Sequence, residues 1–146
     1  MSVDGVRPAL ASDAGPVFAL LQELAHSYEP RRATFDETYA RLLTRPDARV
    51  AVHVSDGIVN GYVVAWAHPA LYANAQVCWV DEICVHPAAR RGGVGRALMA
   101  EVARWAADAG CRSVTLATGR ADAFYESLGY VATARYFKHE LTSRGL

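Results

Sequence analysis

Arg90-Arg91-Gly92-Gly93-Val94-Gly95-Arg96 decides how this chain is read. The largely apolar run Val77–Val85 and the pair His86-Pro87 precede it. Val94, Leu98, Val102, Trp105 and Ala109 then recur with helical spacing. The local order is therefore strand, glycine turn, helix. An opening helical turn presents amide N–H groups with no intrahelical partner, and the helix dipole adds positive potential there. Glycine removes the side chains that would hold an anion off the backbone. Arg90, Arg91 and Arg96 crowd three cations at the end of the helix where cations oppose the dipole, which suits a bound polyphosphate. A Walker loop is excluded because it needs a lysine and the chain's single one is Lys138. A Rossmann fingerprint fails because no third glycine follows Gly93-Val94-Gly95. What remains is R-x-x-G-x-G, met by Arg90, Gly93 and Gly95, set against a plain tight turn with surface arginines.

Outward from the turn, the pattern alternates between elements. Val3–Arg7 reads as a strand. Ser12 is a candidate N-cap for a helix carrying Val17, Leu20, Leu21 and Leu24 and ending near Tyr28, ahead of Pro30. Thr34-Phe35-Asp36-Glu37 reads as a capping box opening a second helix to Leu43. Arg49–Ser55 and Ile58–Trp66 form a hairpin through Asp56-Gly57, with a bulge expected at Gly61. His68–Gln76 reads as a loop. Val77–Val85 is a strand covered on both faces. Ser113–Ala117 is a further strand, Ala121–Leu128 a short helix stopped by Gly129, and Tyr130–Thr133 and Tyr136–Leu141 are closing strands. The fold class is α/β: a mixed central sheet flanked by helices, with one βαβ unit, in a single domain over residues 1–146.

Composition sets the outer bounds. The 146 residues carry 15 basic and 15 acidic side chains, and the even balance argues against a nucleic-acid protein. Fourteen Arg and 27 Ala fit a coding bias. Cys78, Cys84 and Cys111 show no C-x-x-C spacing and read as buried, reduced thiols of a cytoplasmic protein. The scattered histidines give no metal site. MSVDGVRP has no apolar signal core, and no run reaches the roughly 20 apolar residues of a membrane helix, so no membrane role is expected.

A second motif, Phe124-Tyr125-Glu126-Ser127-Leu128-Gly129-Tyr130, stands about thirty residues beyond the glycine turn. From the residues alone, Phe124 and Tyr125 are both core aromatics of a short helix. Taken with Val85-His86-Pro87 and the glycine turn, this stretch resembles the GCN5-related N-acetyltransferases over Val77–Leu141. The resemblance implies a central sheet in which two neighbouring parallel strands splay apart to admit acetyl-CoA, with no metal. It implies that the backbone of Ile83, Cys84 and Val85 bonds the pantetheine arm. Amides from Arg91, Gly92, Gly93, Val94, Gly95 and Arg96 would hold the pyrophosphate, and the side chain of Arg90 or Arg96 would meet phosphate charge. The Val85 N–H would stabilise the oxyanion, and Tyr125 would protonate the departing thiolate. Many members carry an asparagine where this chain has Thr118, which can replace one hydrogen bond but not the amide's pair.

The acceptor amine must lose a proton, and Asp81 and Glu82 stand just before Ile83. Successive strand residues face opposite sides, so one of the two faces the acceptor unless a bulge intervenes. Glu82 is favoured as base or amine anchor, with Asp81 behind it and a salt bridge to arginine as the structural alternative. Acceptor contacts are sought among Tyr28, Glu29, Arg31, Arg32, His68, Tyr72 and Asn74, with Trp66 and Trp79 as core or pocket wall. The expected reaction is acetyl transfer to a primary amine of a small molecule by direct attack. Protein N-terminal or lysine acetylation and a non-enzymatic acyl-CoA-binding module are the alternatives. Dimers are common in such families, so a homodimer is among the expected states.

Overall fold

Residues 4–24 and 28–141 are described in a computed structural model of the chain. They fall into two units, one ending at Leu116 and one beginning at Ala117. The first holds strands β1 (Gly5–Pro8), β2 (Ala48–Ser55), β3 (Ile58–Ala70), β4 (Ala75–Val85) and β5 (Cys111–Thr115), with helices α1 (Ala14–Leu24), α2 (Arg32–Leu43) and α3 (Val94–Asp108). The strands lie side by side in chain order. Each of the first four is antiparallel to its neighbour, and β5 runs parallel to β4 after the crossover through α3. The expected mixed sheet with one βαβ unit is thus present. Val3 and Ala25–Ser27, on which parts of two expected elements fall, lie outside the described residues.

The β2–β3 hairpin turns on Asp56 (φ +50°) and Gly57 (φ +76°), both left-handed as a two-residue connection requires. The bulge expected at Gly61 falls one residue away. Asn60 is the extra residue between the pairs His53↔Gly61 and Val54↔Val59. Gly61 serves α3 instead: a Cβ there would come within 2.9 Å of Val94 Cγ1 and 3.2 Å of the Cys84 carbonyl oxygen.

Several expectations are corrected. The loop His68–Gln76 is mostly strand, because β3 runs to Ala70, β4 begins at Ala75, and only four residues connect them. Pro69 suggested a break, but a hairpin end tolerates its missing donor. Thr34 does not open α2, whose N-cap is Arg31, so the capping-box tetrad lies within the helix. Ser12 sits inside a 3₁₀ turn, Ala11–Asp13, and the carboxylate of Asp13 accepts the Leu10 N–H at 2.7 Å. On α3, Met99 and Ala106 are buried where Trp105 and Ala109 were expected.

In β4 the register slips between Val64↔Glu82 and Ala65↔Val80, leaving Asp81 as a bulge. Val80 therefore shares the face of Ala65, while Glu82 shares the face of Val64. On that second face Tyr62, Val64 and Cys84 join Val50, Val52, Val54, and Val17, Leu20 and Tyr39 from α1 and α2 in one core cluster. Gly61 meets α3 on the opposite face, where Leu98 and Val102 are fully buried. Each is worth roughly 1.5–3 kcal/mol in removing apolar surface from water.

The second unit contains α4 (Asp122–Ser127). Gly129 (φ +93°) ends it, and the Tyr130 N–H closes back on the Tyr125 carbonyl at 3.0 Å. The closing strands expected at Tyr130–Thr133 and Tyr136–Leu141 are not formed among the described residues. Val131, Tyr136, Phe137 and Leu141 are exposed, and strand propensity without a paired neighbour does not make a strand.

Candidate active site

β4 and β5 are paired only as far as Trp79↔Thr115. Beyond that point no described strand pairs with this edge of β4, from Val80 to Val85. Backbone groups alternate between the two edges of a strand. The His86 N–H donates to the Asn60 carbonyl on the β3 side at 2.8 Å. The amides of Ile83 and Val85 therefore point to the opposite, unpaired edge. β5 itself ends at Thr115, so β4 runs on past its parallel neighbour with the Ile83 and Val85 amides on the edge that no described strand fills.

The glycine turn follows directly. Gly93 (φ +81°) caps α3 from the left-handed region, and Arg91 (φ +72°) takes the same conformation without being glycine. The Ala97 N–H closes back on the Gly93 carbonyl at 3.0 Å, so the amides of Val94, Gly95 and Arg96 form the open first turn. A Cβ on Gly92 would stand 3.2 Å from the Ala89 carbonyl oxygen. Arg90, Arg91 and Arg96 are exposed, and none forms an ion pair among the described residues. The Arg90 Nε–H donates to the Val85 carbonyl at 3.3 Å, which ties the turn to the end of β4. Three unpaired guanidiniums beside free helix-start amides make a place for pyrophosphate and phosphate groups.

The two acids have different surroundings. Asp81, pushed out by the bulge, is exposed and accepts the Trp79 indole N–H at 3.3 Å. Glu82 is half-buried and accepts the hydroxyl of fully buried Tyr62 at 2.9 Å. Burial raises the Glu82 carboxyl above the ordinary carboxylate range, the Tyr62 hydrogen bond opposes this, and Asp81 adds to it. Neither acid is paired with an arginine among the described residues, so the salt-bridge alternative does not hold. Glu82, Tyr62 and Val64 line a cavity of about 290 Å³ between α1, α2 and the sheet, and Asp81 does not.

Of the expected acceptor contacts, Glu29 and Arg31 line this cavity. Tyr28, Arg32, His68, Tyr72, Asn74, Trp66 and Trp79 do not. Tyr62 and Tyr39 were missed. Tyr62 was hidden in an apolar strand, and only the hairpin register that sets Val64 opposite Glu82 reveals it. The Tyr39 hydroxyl is committed to the Leu10 carbonyl at 2.7 Å.

In the second unit, Tyr125 is buried, with rings of Phe124 and Tyr130 at 5.0 and 5.9 Å. Burial, and then Tyr130, raise its phenol above the usual value, so it stays protonated at neutral pH. Phe124 is less buried than Tyr125. The Thr118 hydroxyl accepts the Ala121 N–H at 3.0 Å at the start of α4. Its own proton can still be donated. Cys78 and Cys84 are buried free thiols, as expected, and burial pushes Cys78 up to about 12. Cys111 is only partly covered.

The family model for the GNAT acetyltransferases matches residues 17–130, across the motifs just described. The chain belongs to that family and is an N-acetyltransferase of the acyl-transferring class, for which acetyl-CoA is the implied co-substrate. Among similar solved structures is an assigned acetyltransferase from Agrobacterium tumefaciens, 26% identical, with a TM-score of 0.84, covering 93% of this chain and 99% of that one. Glucosamine-6-phosphate N-acetyltransferase from Arabidopsis thaliana superposes with a TM-score of 0.84 at 16% identity, covering 97% and 100%. Ribosomal-protein-alanine N-acetyltransferase from Brucella melitensis gives 0.73 at 21%, covering 96% and 99%. The last two share the fold yet are named for a sugar phosphate and a protein, so the fold leaves the acceptor open. No curated protein matches the chain. No helix among the described residues is long and apolar enough to cross a membrane.

Proposed function

We propose that this enzyme transfers the acetyl group of acetyl-CoA to the primary amine of a small molecule by direct attack. The observation that carries the reading is Glu82: an acid held by a buried phenol in a half-open, apolar-walled cavity, three residues before the free Val85 amide. The acceptor arrives as an ammonium and passes a proton to Glu82, whose raised proton affinity suits a base. Its nitrogen lone pair then attacks the thioester carbonyl carbon, forming the C–N bond. The negative charge gathers on the carbonyl oxygen, where the Val85 N–H stabilises it. Collapse breaks the C–S bond. Tyr125 donates its proton to the departing sulfur, and the second proton leaves the nitrogen through solvent, which returns one to the Tyr125 phenolate.

The backbone of Ile83 and Val85 takes the pantetheine arm; that of Cys84, expected to share the task, faces β3 opposite Tyr62 and is spent on the ladder. The amides from Arg91 through Arg96 take the pyrophosphate, and Arg90 or Arg96 faces phosphate charge. Thr118 supplies one cofactor hydrogen bond in this reading, and Asp81 is the reserve acid. The family match crosses the boundary after Leu116, which supports one functional domain over 1–146. Reduced thiols suit the cytoplasm. The steps above call on no metal.

Two measurements test this. Acetyl-CoA should raise the melting temperature by mass action, and Gly93→Val should remove that shift, since a β-branched residue is strained at φ +81°. Thiol release from acetyl-CoA should then be scored against small primary amines and against peptides with free N-termini or lysines. Turnover confined to the peptides would reject the small-molecule acceptor.

A further inference from the structure

The Glu82 cavity says more about the acceptor than that it is an amine. Resting on the acetyltransferase reading above, we infer that the acceptor is a primary amine on a compact apolar body, an alkyl- or arylalkylamine. Its nitrogen would lie against Glu82 and its hydrocarbon against Val17, Leu21, Phe35, Leu42, Val50 and Val64.

Three observations converge on this. The cavity holds about 290 Å³, at the lower edge of the roughly 300–1,000 Å³ typical of small-ligand sites. Its depth is apolar: Val17, Val50 and Val64 are buried, and Phe35 stacks on Tyr39 at a ring separation of 5.3 Å. The buried hydroxyls have already spent their protons, because Tyr62 donates to Glu82 and Tyr39 donates to the Leu10 carbonyl, which leaves them only as acceptors. Most of a sugar's hydroxyls would face hydrocarbon wall and lose the partners they have in water. A second ammonium would find no second carboxylate at depth, since the other acid, Glu29, is on the exposed rim beside Arg31, Thr34 and Thr38. One acid in an apolar wall therefore selects one amine on an apolar body.

The test uses the full chain with acetyl-CoA and a matched pair of amines. Hexylamine and 1,6-diaminohexane have the same length and differ at the far end by a methyl against an ammonium. Glucosamine and phenethylamine complete the set. Expected kcat/KM for hexylamine exceeds that for the diamine by at least about tenfold, because the second ammonium would give up water for contact with the apolar wall. Glucosamine is poorer still, and phenethylamine is turned over. Thr38→Trp, an exposed rim position that can be filled without entering the core, should raise KM for hexylamine about tenfold or more and leave KM for acetyl-CoA unchanged.

Calorimetric titration of hexylamine into the CoA-loaded protein reads binding apart from turnover. If the diamine or glucosamine is acetylated as well as hexylamine, the apolar acceptor is wrong while acetyl transfer stands. If no amine is acetylated but hexylamine binds and Thr38→Trp blocks it, the cavity assignment holds and the transfer reading fails. If hexylamine neither binds nor reacts, the inference is overturned.

Discussion

Tyr62→Phe is the most informative single change in this enzyme. It removes one oxygen from a fully buried ring, and that oxygen's hydrogen bond goes to Glu82 Oε1 at 2.9 Å. A hydrogen bond to an ionised group contributes about 1.5–3 kcal/mol. At about 1.4 kcal/mol per pKa unit, its loss should raise the Glu82 carboxyl by roughly one to two units. The starting value is already above the ordinary range because burial outweighs the hydrogen bond, so the change adds to an existing shift. A base must be unprotonated to act, so the acid limb of kcat/KM for the amine should move upward by the same one to two pH units. Comparing variant and parent with the same amine cancels the amine's own titration. The acetyl-CoA KM should stay fixed. Stability carries the same sign: a carboxyl raised by folding binds protons more tightly in the native state. Its contribution therefore weakens as pH rises from the unfolded carboxyl value through the raised folded one, and more steeply in the variant. An unmoved acid limb in a variant with native circular dichroism would remove Glu82 from the reaction.

Other outcomes follow from the same structure. Tyr125→Phe should lower kcat at least tenfold while calorimetric affinity for acetyl-CoA stays near that of the parent, and unchanged turnover would reject Tyr125 as the acid. Gly61→Ala should cost about 1–3 kcal/mol in urea unfolding, because the new methyl meets Val94, Leu98 and a backbone carbonyl. Equal stability would mean that α3 has room to move. Asp13, held below the usual carboxylate range by Arg7 and then by the Leu10 N–H, stabilises the fold above its unfolded value and stops doing so as pH falls through its folded one. Asp13→Asn should thus destabilise at pH 7 by about 1–2 kcal/mol, the low side because Arg7 is partly exposed, and the difference should shrink as pH falls through the lowered carboxyl value.

Sequence reading succeeded where local chemistry sets structure. Asp56-Gly57 and the glycines at 93, 110 and 129 mark turns and helix ends because left-handed backbone is a single-residue requirement. The glycine turn and the Phe124–Tyr130 motif were legible for the same reason. The failures were cooperative. Strand ends at Ala70 and Ala75 depend on pairing across the hairpin rather than on Pro69 alone. The segment after Tyr130 has the composition of strands, yet a ladder requires a neighbour as well as a propensity. The choice between Asp81 and Glu82 rested on a bulge that one strand's sequence cannot disclose, and the cavity lining came from five separate elements.

Asp81 works as a spacer. With it in place, Val80 and Glu82 fall on opposite faces of the sheet; without it, they would share one. Deleting Asp81 would carry the carboxylate away from the cavity, whereas replacing Asp81 by another polar residue would leave Glu82 where it is. Length in this strand is consequently under tighter restraint than identity.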